Sequence, residues 1–277
     1  MRVRAFAKIN LSLRVLGTRA DGYHELRTIF QSIALHDTLT ILASRGPFSL
    51  TCGDPACPTD ETNLIWLAAA RMWAAAGRRG APRDVAIDLA KRIPMRAGLG
   101  GGSSNAAAAL RALARRWRVG ETRVREAAVA LGADVPYFLE GGTVLGLERG
   151  DLLFPLIDVP AAWVVLVLPD FGVSTKDAFG WLDGAAPRGS EPIESERVND
   201  LEAPVVARHP DIGRIISALR REGASQSAMS GSGSAVFGLF PHRPDAVRAA
   251  KRLSSAARRT LVTRTINRPK YQALAAT

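Results

Sequence analysis

Pro94-Met-Arg-Ala-Gly98-Leu-Gly100-Gly-Gly-Ser-Ser104 runs from the end of a β-prone segment straight into an alanine-rich helical pattern. A glycine run in that context leaves backbone N–H groups free at the positive end of a helix dipole, with no Cβ atoms to hold an anion away. A triphosphate fits this chemistry, and the hydroxyls of Ser103 and Ser104 are placed to touch phosphate or its Mg²⁺. Two commoner nucleotide motifs do not match. The Gly-Lys-Ser/Thr ending of a Walker A loop is missing, and Ser103 stands where the third Rossmann glycine belongs. A Gly-x-Ser-x-Gly nucleophile elbow is absent as well. The plainer reading, in which the glycines only let a helix pack closely on a sheet, leaves the two serines at the helix start unexplained.

Upstream of this stretch, short β-prone runs alternate with turn signals: Ile9 to Val15, a turn at Ala20-Asp21-Gly22, Leu26 to Ile33, Thr38 to Ala43 and Phe48 to Thr51. They predict a mostly antiparallel sheet. A helix is expected from Asn63, capped by Thr62 or Asn63, with Leu64, Leu67, Ala68 and Met72 on one face and Gly77 at its end. A strand from Val85 to Leu89 then leads into the glycine run. Downstream, a helix from Ala106 to Trp117 carries an apolar stripe of Leu110, Leu113 and Trp117, and a second, Val124 to Leu131, is closed by Gly132. A hairpin is expected over Gly142 to Leu147, and Pro155 to Pro160 suggests a boundary. Beyond it come strands at Trp163 to Leu168, Ser227 to Met229, Ala235 to Phe240 and Thr260 to Thr265. Helices begin after Pro210 and Pro244. This alternation reads as a split βαβ sandwich, with a surface loop from Asp183 to Arg197.

The 277 residues are 47% apolar and 23% charged, which supports a substantial core and no long disordered tract. Neither a secretory leader nor a membrane-spanning run is found, so a cytoplasmic protein is expected. Cys52 and Cys57 lack the neighbours that would complete a zinc shell and are read as free thiols. The formal net charge of +11 points to anionic partners, nucleic acid among them. The arginines at 111, 115, 116, 118, 123 and 125 nevertheless read equally well as a solvated helical face, and a small-molecule partner rather than nucleic acid or membrane is expected. Lysine is scarce, occurring only at 8, 91, 176, 251 and 270. Lys8 therefore stands out as a compact charge able to tune a catalytic partner.

The stretch Pro94 to Ala107 resembles the Pro-x-x-x-Gly-Leu-Gly-x-Ser-Ser-Ala motif of the GHMP kinases, named for galactokinase, homoserine kinase, mevalonate kinase and phosphomevalonate kinase. Three further segments, Ala7-Lys-Ile-Asn-Leu-Ser-Leu-Arg-Val-Leu-Gly17, Asp21-Gly-Tyr-His-Glu-Leu26 and Gly132-Ala-Asp-Val-Pro-Tyr-Phe138, resemble the branch whose acceptor is 4-diphosphocytidyl-2-C-methyl-D-erythritol. The likeness continues through Asn63-Leu-Ile, Val173-Ser-Thr, Asn199-Asp-Leu-Glu and Met229-Ser-Gly-Ser-Gly-Ser-Ala, and so spans nearly the whole chain in order. It departs at Arg96-Ala97, where smaller residues are common, and at Asn105, where aspartate is frequent.

The resemblance implies an α+β, two-domain fold. Residues 1–157 would form a unit like the second domain of ribosomal protein S5, and 158–277 a ferredoxin-like unit, with the site between them. It also implies ATP as phosphoryl donor with Mg²⁺. ATP would be held by Pro94, Met95, Arg96, Ala97, Gly98, Leu99, Gly100, Gly101, Gly102, Ser103 and Ser104, with Asn63 near adenine. Asp134 would accept the proton of the attacking hydroxyl or orient it, with Lys8 beside it. Asn10 would contact the acceptor. Tyr23 and Phe179 would stack on its cytosine, and His24 would pair with the polar edge of that base. Without the resemblance Asp134 reads as a turn aspartate, Asn63 as a helix cap and Phe179 as a core aromatic. A homoserine or mevalonate type of acceptor is the nearest rival reading, and an RNA-binding protein a more distant one.

Overall fold

The computed structural model describes residues 1–184 and 199–275. Its first half contains β1 (Arg2–Thr18), β2 (His24–Pro47), β3 (Ser49–Cys52), α1 (Leu64–Ala75), β4 (Arg83–Ala90), α2 (Gly101–Trp117), α3 (Glu121–Leu131), α4 (Tyr137–Glu140), β5 (Thr143–Glu148) and β6 (Leu152–Pro155). Then follow β7 (Trp163–Pro169), α5 (Thr175–Asp183), α6 (Glu202–Arg208), α7 (Pro210–Arg221), β8 (Gln226–Met229), β9 (Val236–Phe240), α8 (Arg243–Leu253), β10 (Arg258–Arg264) and α9 (Arg268–Ala275).

The strands form two sheets. In the first, β2 is the spine: it pairs antiparallel with β1 along most of its length, with β5 through Leu26–Gln31 and with β4 through Thr38–Ala43. The separate strands expected at Leu26 to Ile33 and Thr38 to Ala43 are thus one strand of 24 residues. Ala34 and Leu35 are accommodated where the register against β1 shifts, between Phe6 and Ala7, while His36 and Asp37 pair with Phe6 and Ala5. Such an irregularity bends a strand without ending it. The second sheet has the order β10-β7-β9-β8, with every pair antiparallel, as expected of a ferredoxin-like unit.

Helices α1, α2 and α3 cover the first sheet, and their alanines, Leu110, Leu113 and Trp117 share a core with Val3, Leu39, Ile41, Val85 and Ile87. On α1 the buried face is Ile65, Ala68, Ala69, Met72 and Trp73, whereas Leu67 is exposed. Both faces of the second sheet are covered, which explains its continuous apolar strands. Val165 and Val167 of β7 face a core with Ile212, Ile215 and Ala249 of the helices α7 and α8. Val164, Leu166 and Leu168 pack instead with Ala7, Ile9 and Ile33 of the first sheet. This central seam is where the two sheets meet.

Two differences bear on function. The helix expected from Ala106 begins at Gly101, so Gly101 to Ser104 form its first turn. Poor helix formers there conceal a helix start that Gly100, in the left-handed region at φ +70°, turns into place. In addition α4, α6 and α9 are helices that the sequence reading did not anticipate, being short and weakly periodic. The expected loop from Asp183 to Arg197 lies, beyond Asp183 and Gly184, outside the described residues; Asp183 itself ends α5.

Candidate active site

After β4 the chain is turned by the buried carboxylate of Asp37. It accepts from Lys91 Nζ at 2.6 Å, from the Arg92 amide at 2.6 Å and from the Ile93 amide at 2.8 Å. The loop from Pro94 to Gly100 is then pinned on two sides. The Lys8 amide of β1 donates to the Leu99 carbonyl at 3.0 Å, while Ser230 Oγ donates to the Gly98 carbonyl at 2.9 Å and the Ala235 amide to that of Ala97 at 3.3 Å. Gly98 and Gly100 both sit at φ +70°. A Cβ on Gly98 would lie 1.9 Å from the Ser230 carbonyl oxygen, and one on Gly100 would lie 2.6 Å from the Phe138 ring. The close approach admits only glycine at either position.

The start of α2 has neither a side-chain cap nor an acidic residue in its first turn. Its dipole and free amides are therefore available to an anion. Ser104 Oγ and Asn105 Oδ1, both buried, have no hydrogen-bond partner among the described residues. An orphaned oxygen at that point suits a triphosphate and its hard cation.

Lys8 and Asn10 are two apart on β1 and so share a face. Lys8 is 4% exposed, Asn10 1%. Lys8 Nζ donates to Asn10 Oδ1 at 2.6 Å, lies 3.6 Å from Asp134 Oδ2 and stands 5.4 Å from the centre of the Phe30 ring. Asn10 Nδ2 donates to Thr28 Oγ1 at 2.7 Å, and that hydroxyl donates to the Ser12 carbonyl at 2.7 Å. The chain of donors fixes which way the amide points and turns its oxygen toward Lys8. Asp134 enters on the turn after Gly132, closed by the Val135 amide on the Gly132 carbonyl at 3.0 Å. With a side chain 36% exposed, it offers a carboxylate to the cleft beside a buried ammonium.

The Gly231-Ser-Gly233 turn approaches from the second sheet. A Cβ on Gly231 would stand 3.3 Å from Lys8 Nζ and 3.4 Å from Asn10 Oδ1. Buried Asn199 braces the turn by donating to the Met229 and Gly231 carbonyls at 2.8 and 2.7 Å.

At the other end of β1, the His24 ring stacks on Phe179 with centroids 4.5 Å apart and planes 25° from parallel, and its Nε2 is 2.7 Å from Asp183 Oδ1. Tyr23 is 57% exposed, with the Arg149 guanidinium 5.2 Å from its ring centre.

Residues 63–142 match the family model for the GHMP kinases N terminal domain, and residues 185–259 that for GHMP kinases C terminal. A 4-diphosphocytidyl-2-C-methyl-D-erythritol kinase of Moorella thermoacetica is 42% identical over 285 residues, covering 95% of this chain and 98% of the relative. The crystal structure of a 4-(cytidine 5'-diphospho)-2C-methyl-D-erythritol kinase superposes with a TM-score of 0.81 at 35% identity, over 96% of this chain and 99% of the other. The chain belongs to the 4-diphosphocytidyl-2-C-methyl-D-erythritol kinase family. The structure of a homoserine kinase from Cytophaga hutchinsonii, at 16% identity, a TM-score of 0.67 and coverage of 96% and 95%, shares the fold alone.

Within this kinase family's fold, Lys8 stands between Asn10 and Asp134, beside Gly100 at the start of α2. His24, held by Asp183, lies against Phe179, and Tyr23 lies under the Arg149 guanidinium. Asn63 is an N-cap, its Oδ1 accepting from the Ile65 amide at 2.9 Å while its Nδ2 donates to the Pro58 carbonyl at 2.6 Å. Its neighbour Leu64 reaches the first turn of α2, with Cδ1 3.8 Å from the Cβ position of Gly102. Sequence reasoning missed Asp37, Lys91 and Thr28. Their role lies in contacts between distant segments, which no local pattern announces. Asn199 had a signal in the Asn199-Asp-Leu-Glu segment.

Proposed function

We propose that this chain transfers the γ-phosphoryl group of ATP to the 2-hydroxyl of 4-diphosphocytidyl-2-C-methyl-D-erythritol, giving the 2-phosphate, in the non-mevalonate route to isoprenoid precursors. The observation that carries the reading is the meeting of Lys8, Asn10 and Asp134 beside an uncapped helix start, in a chain 42% identical to a kinase of that name.

Asp134 takes the proton of the 2-hydroxyl as the phosphorus–oxygen bond forms. Lys8, held by Asn10, stands beside the carboxylate and offsets negative charge on the attacking oxygen. Residues Pro94 to Ser104 hold the triphosphate, and positioning with electrostatics supplies most of the catalysis. Mg²⁺, when bound, neutralises charge on the β- and γ-phosphates. The unpartnered Ser104 hydroxyl fits it as an oxygen donor. Asn63 lies toward adenine, Asn10 contacts the acceptor, and Tyr23, His24 and Phe179 recognise cytosine.

The functional units are 1–157 and 158–277, and the enzyme works in the cytoplasm. In support, no helix among the described residues is long and apolar enough to cross a membrane. The basic charge serves anionic small substrates rather than nucleic acid. Arg123 and Arg125, on the face that resembles an RNA footprint, are paired with Glu126, Glu121 and Glu140. ATP consumption against a panel of acceptors tests the reading. Turnover is expected with the diphosphocytidyl substrate; none with it, or turnover with homoserine instead, overturns the proposal.

A further inference from the structure

Asp134 is followed within four residues by Phe138, and Phe138 connects three parts of the molecule. Its ring fills the space above Gly100 where the phosphate loop enters α2, since a Cβ there would lie 2.6 Å from Cζ. Its backbone belongs to α4, which continues the Asp134 turn through Val135 and Pro136. Its carbonyl accepts a hydrogen bond from Tyr271 Oη of α9 at 2.7 Å.

Tyr271 is a built-in feature of this corner. It is 2% exposed, its ring lies 5.5 Å from that of Phe6, and Gly141 must be glycine to admit it, because a Cβ there would meet the Tyr271 ring at 2.1 Å. Arg268, one turn earlier on α9, donates to the Gly141 carbonyl at 3.3 Å and to the Thr143 carbonyl at 2.7 Å. The other end of α4 is fixed by the Tyr137 hydroxyl, which meets Ser32 Oγ at 2.6 Å and donates to the Gly142 carbonyl at 2.9 Å. A short helix of four residues has little stability of its own. Its orientation, and with it the direction in which Asp134 leaves the preceding turn, is set by these outside contacts.

We propose that Tyr271 is a positioning residue for phosphoryl transfer: through the Phe138 carbonyl its hydroxyl holds α4, and thereby holds the Asp134 carboxylate in register with Lys8 and the loop at Gly100. The proposal rests on the reading of Asp134 as the base. A group that touches no reacting atom acts here by geometry, which catalysis rewards steeply.

The test compares Tyr271→Phe, which keeps the ring and removes the hydroxyl, with Ile266→Val, which trims a methyl from the same apolar cluster around Phe6. Tyr271→Phe should lower kcat on the order of 10- to 100-fold, as small misplacements of reacting groups do, with both KM values within about twofold. Ile266→Val should lower the thermal midpoint and leave kcat unchanged. In an Asp134→Asn background, Tyr271→Phe should cost no further residual rate. An unchanged kcat in Tyr271→Phe, an equal loss in Ile266→Val, or multiplied losses in the double variant would each overturn the proposal. Near-normal rates in Asp134→Asn alone would instead remove the base reading, so the two failures are separable.

Discussion

Lys8 Nζ lies 2.6 Å from Asn10 Oδ1 but 3.6 Å from Asp134 Oδ2, so the ammonium is held by the amide and faces the carboxylate. The arrangement sets a fixed positive charge beside the Asp134 carboxylate. Asp134→Asn keeps the shape and removes the basicity. It is expected to lower kcat about 10²- to 10⁴-fold, the range of general-base contributions, with ATP affinity largely intact. Steady-state rates with calorimetric titration of ATP check both halves of the statement.

The loop glycines give a second expectation. Gly100→Ala places an L-residue in the left-handed region, at a cost of about 1–2 kcal/mol, and drives its methyl into the Phe138 ring. The displaced loop should bind ATP on the order of tenfold more weakly, equivalent to about 1.4 kcal/mol of binding free energy. Gly120→Ala, at the start of α3 with nothing within 4 Å of its Cβ position, should leave ATP affinity as it is. Equal affinities in the two variants would count against the geometry of the loop.

The fold was readable from sequence where periodicity and punctuation agree. Asn63 and Gly77 bracket α1, the prolines at 210 and 244 start α7 and α8, and the run from Trp163 to Leu168 gives β7. It was unreadable where tertiary contacts decide. His36 and Asp37 look like a break in β2, yet Asp37 is buried, accepting the backbone amides of Arg92 and Ile93 just beyond the end of β4. Likewise Gly101 to Ser104 look like loop because their helix is stabilised by packing rather than by propensity. At the site, Asp134 was legible only through resemblance, since it carries no local signature, whereas the scarcity of lysine already singled out Lys8. The contact of His24 with Phe179 was not legible at all, because it depends on where α5 ends and on the carboxylate that Asp183 presents there.

That aromatic contact yields a third expectation. Stacking on a base is worth about 1–3 kcal/mol per aromatic ring, so Phe179→Ala should raise the acceptor KM roughly 5- to 100-fold while leaving the ATP KM unchanged. Initial rates with each substrate varied in turn decide it. A change confined to the ATP KM would move Phe179 out of the acceptor site.

Burial pushes the Cys57 thiol up to about 11, with the neighbouring Cys52 side chain adding to the effect. The raised value means that the folded chain favours the neutral thiol. Its contribution to stability is fully present below the ordinary thiol range near pH 9, and is lost as the pH rises through 9 toward 11. Urea midpoints of the parent and of Cys57→Ala, compared at pH 7 and pH 10.5, should show a steeper alkaline decline in the parent. Parallel declines would contradict this.

The phosphate loop is joined to both sheets, and one of its fastenings, Ser230 Oγ on the Gly98 carbonyl, spans 132 positions of sequence. A rigid-body hinge that separated the sheets would break these fastenings of the glycine loop. The same fastening orders the protein's biosynthesis. Long-range contacts are completed late, and the glycine loop stays unbraced on its second-sheet side until the turn that follows β8 has left the ribosome and docked. Nascent chains that end before Ala235 therefore lack the Ala235 amide that completes the loop's bracing from the second sheet.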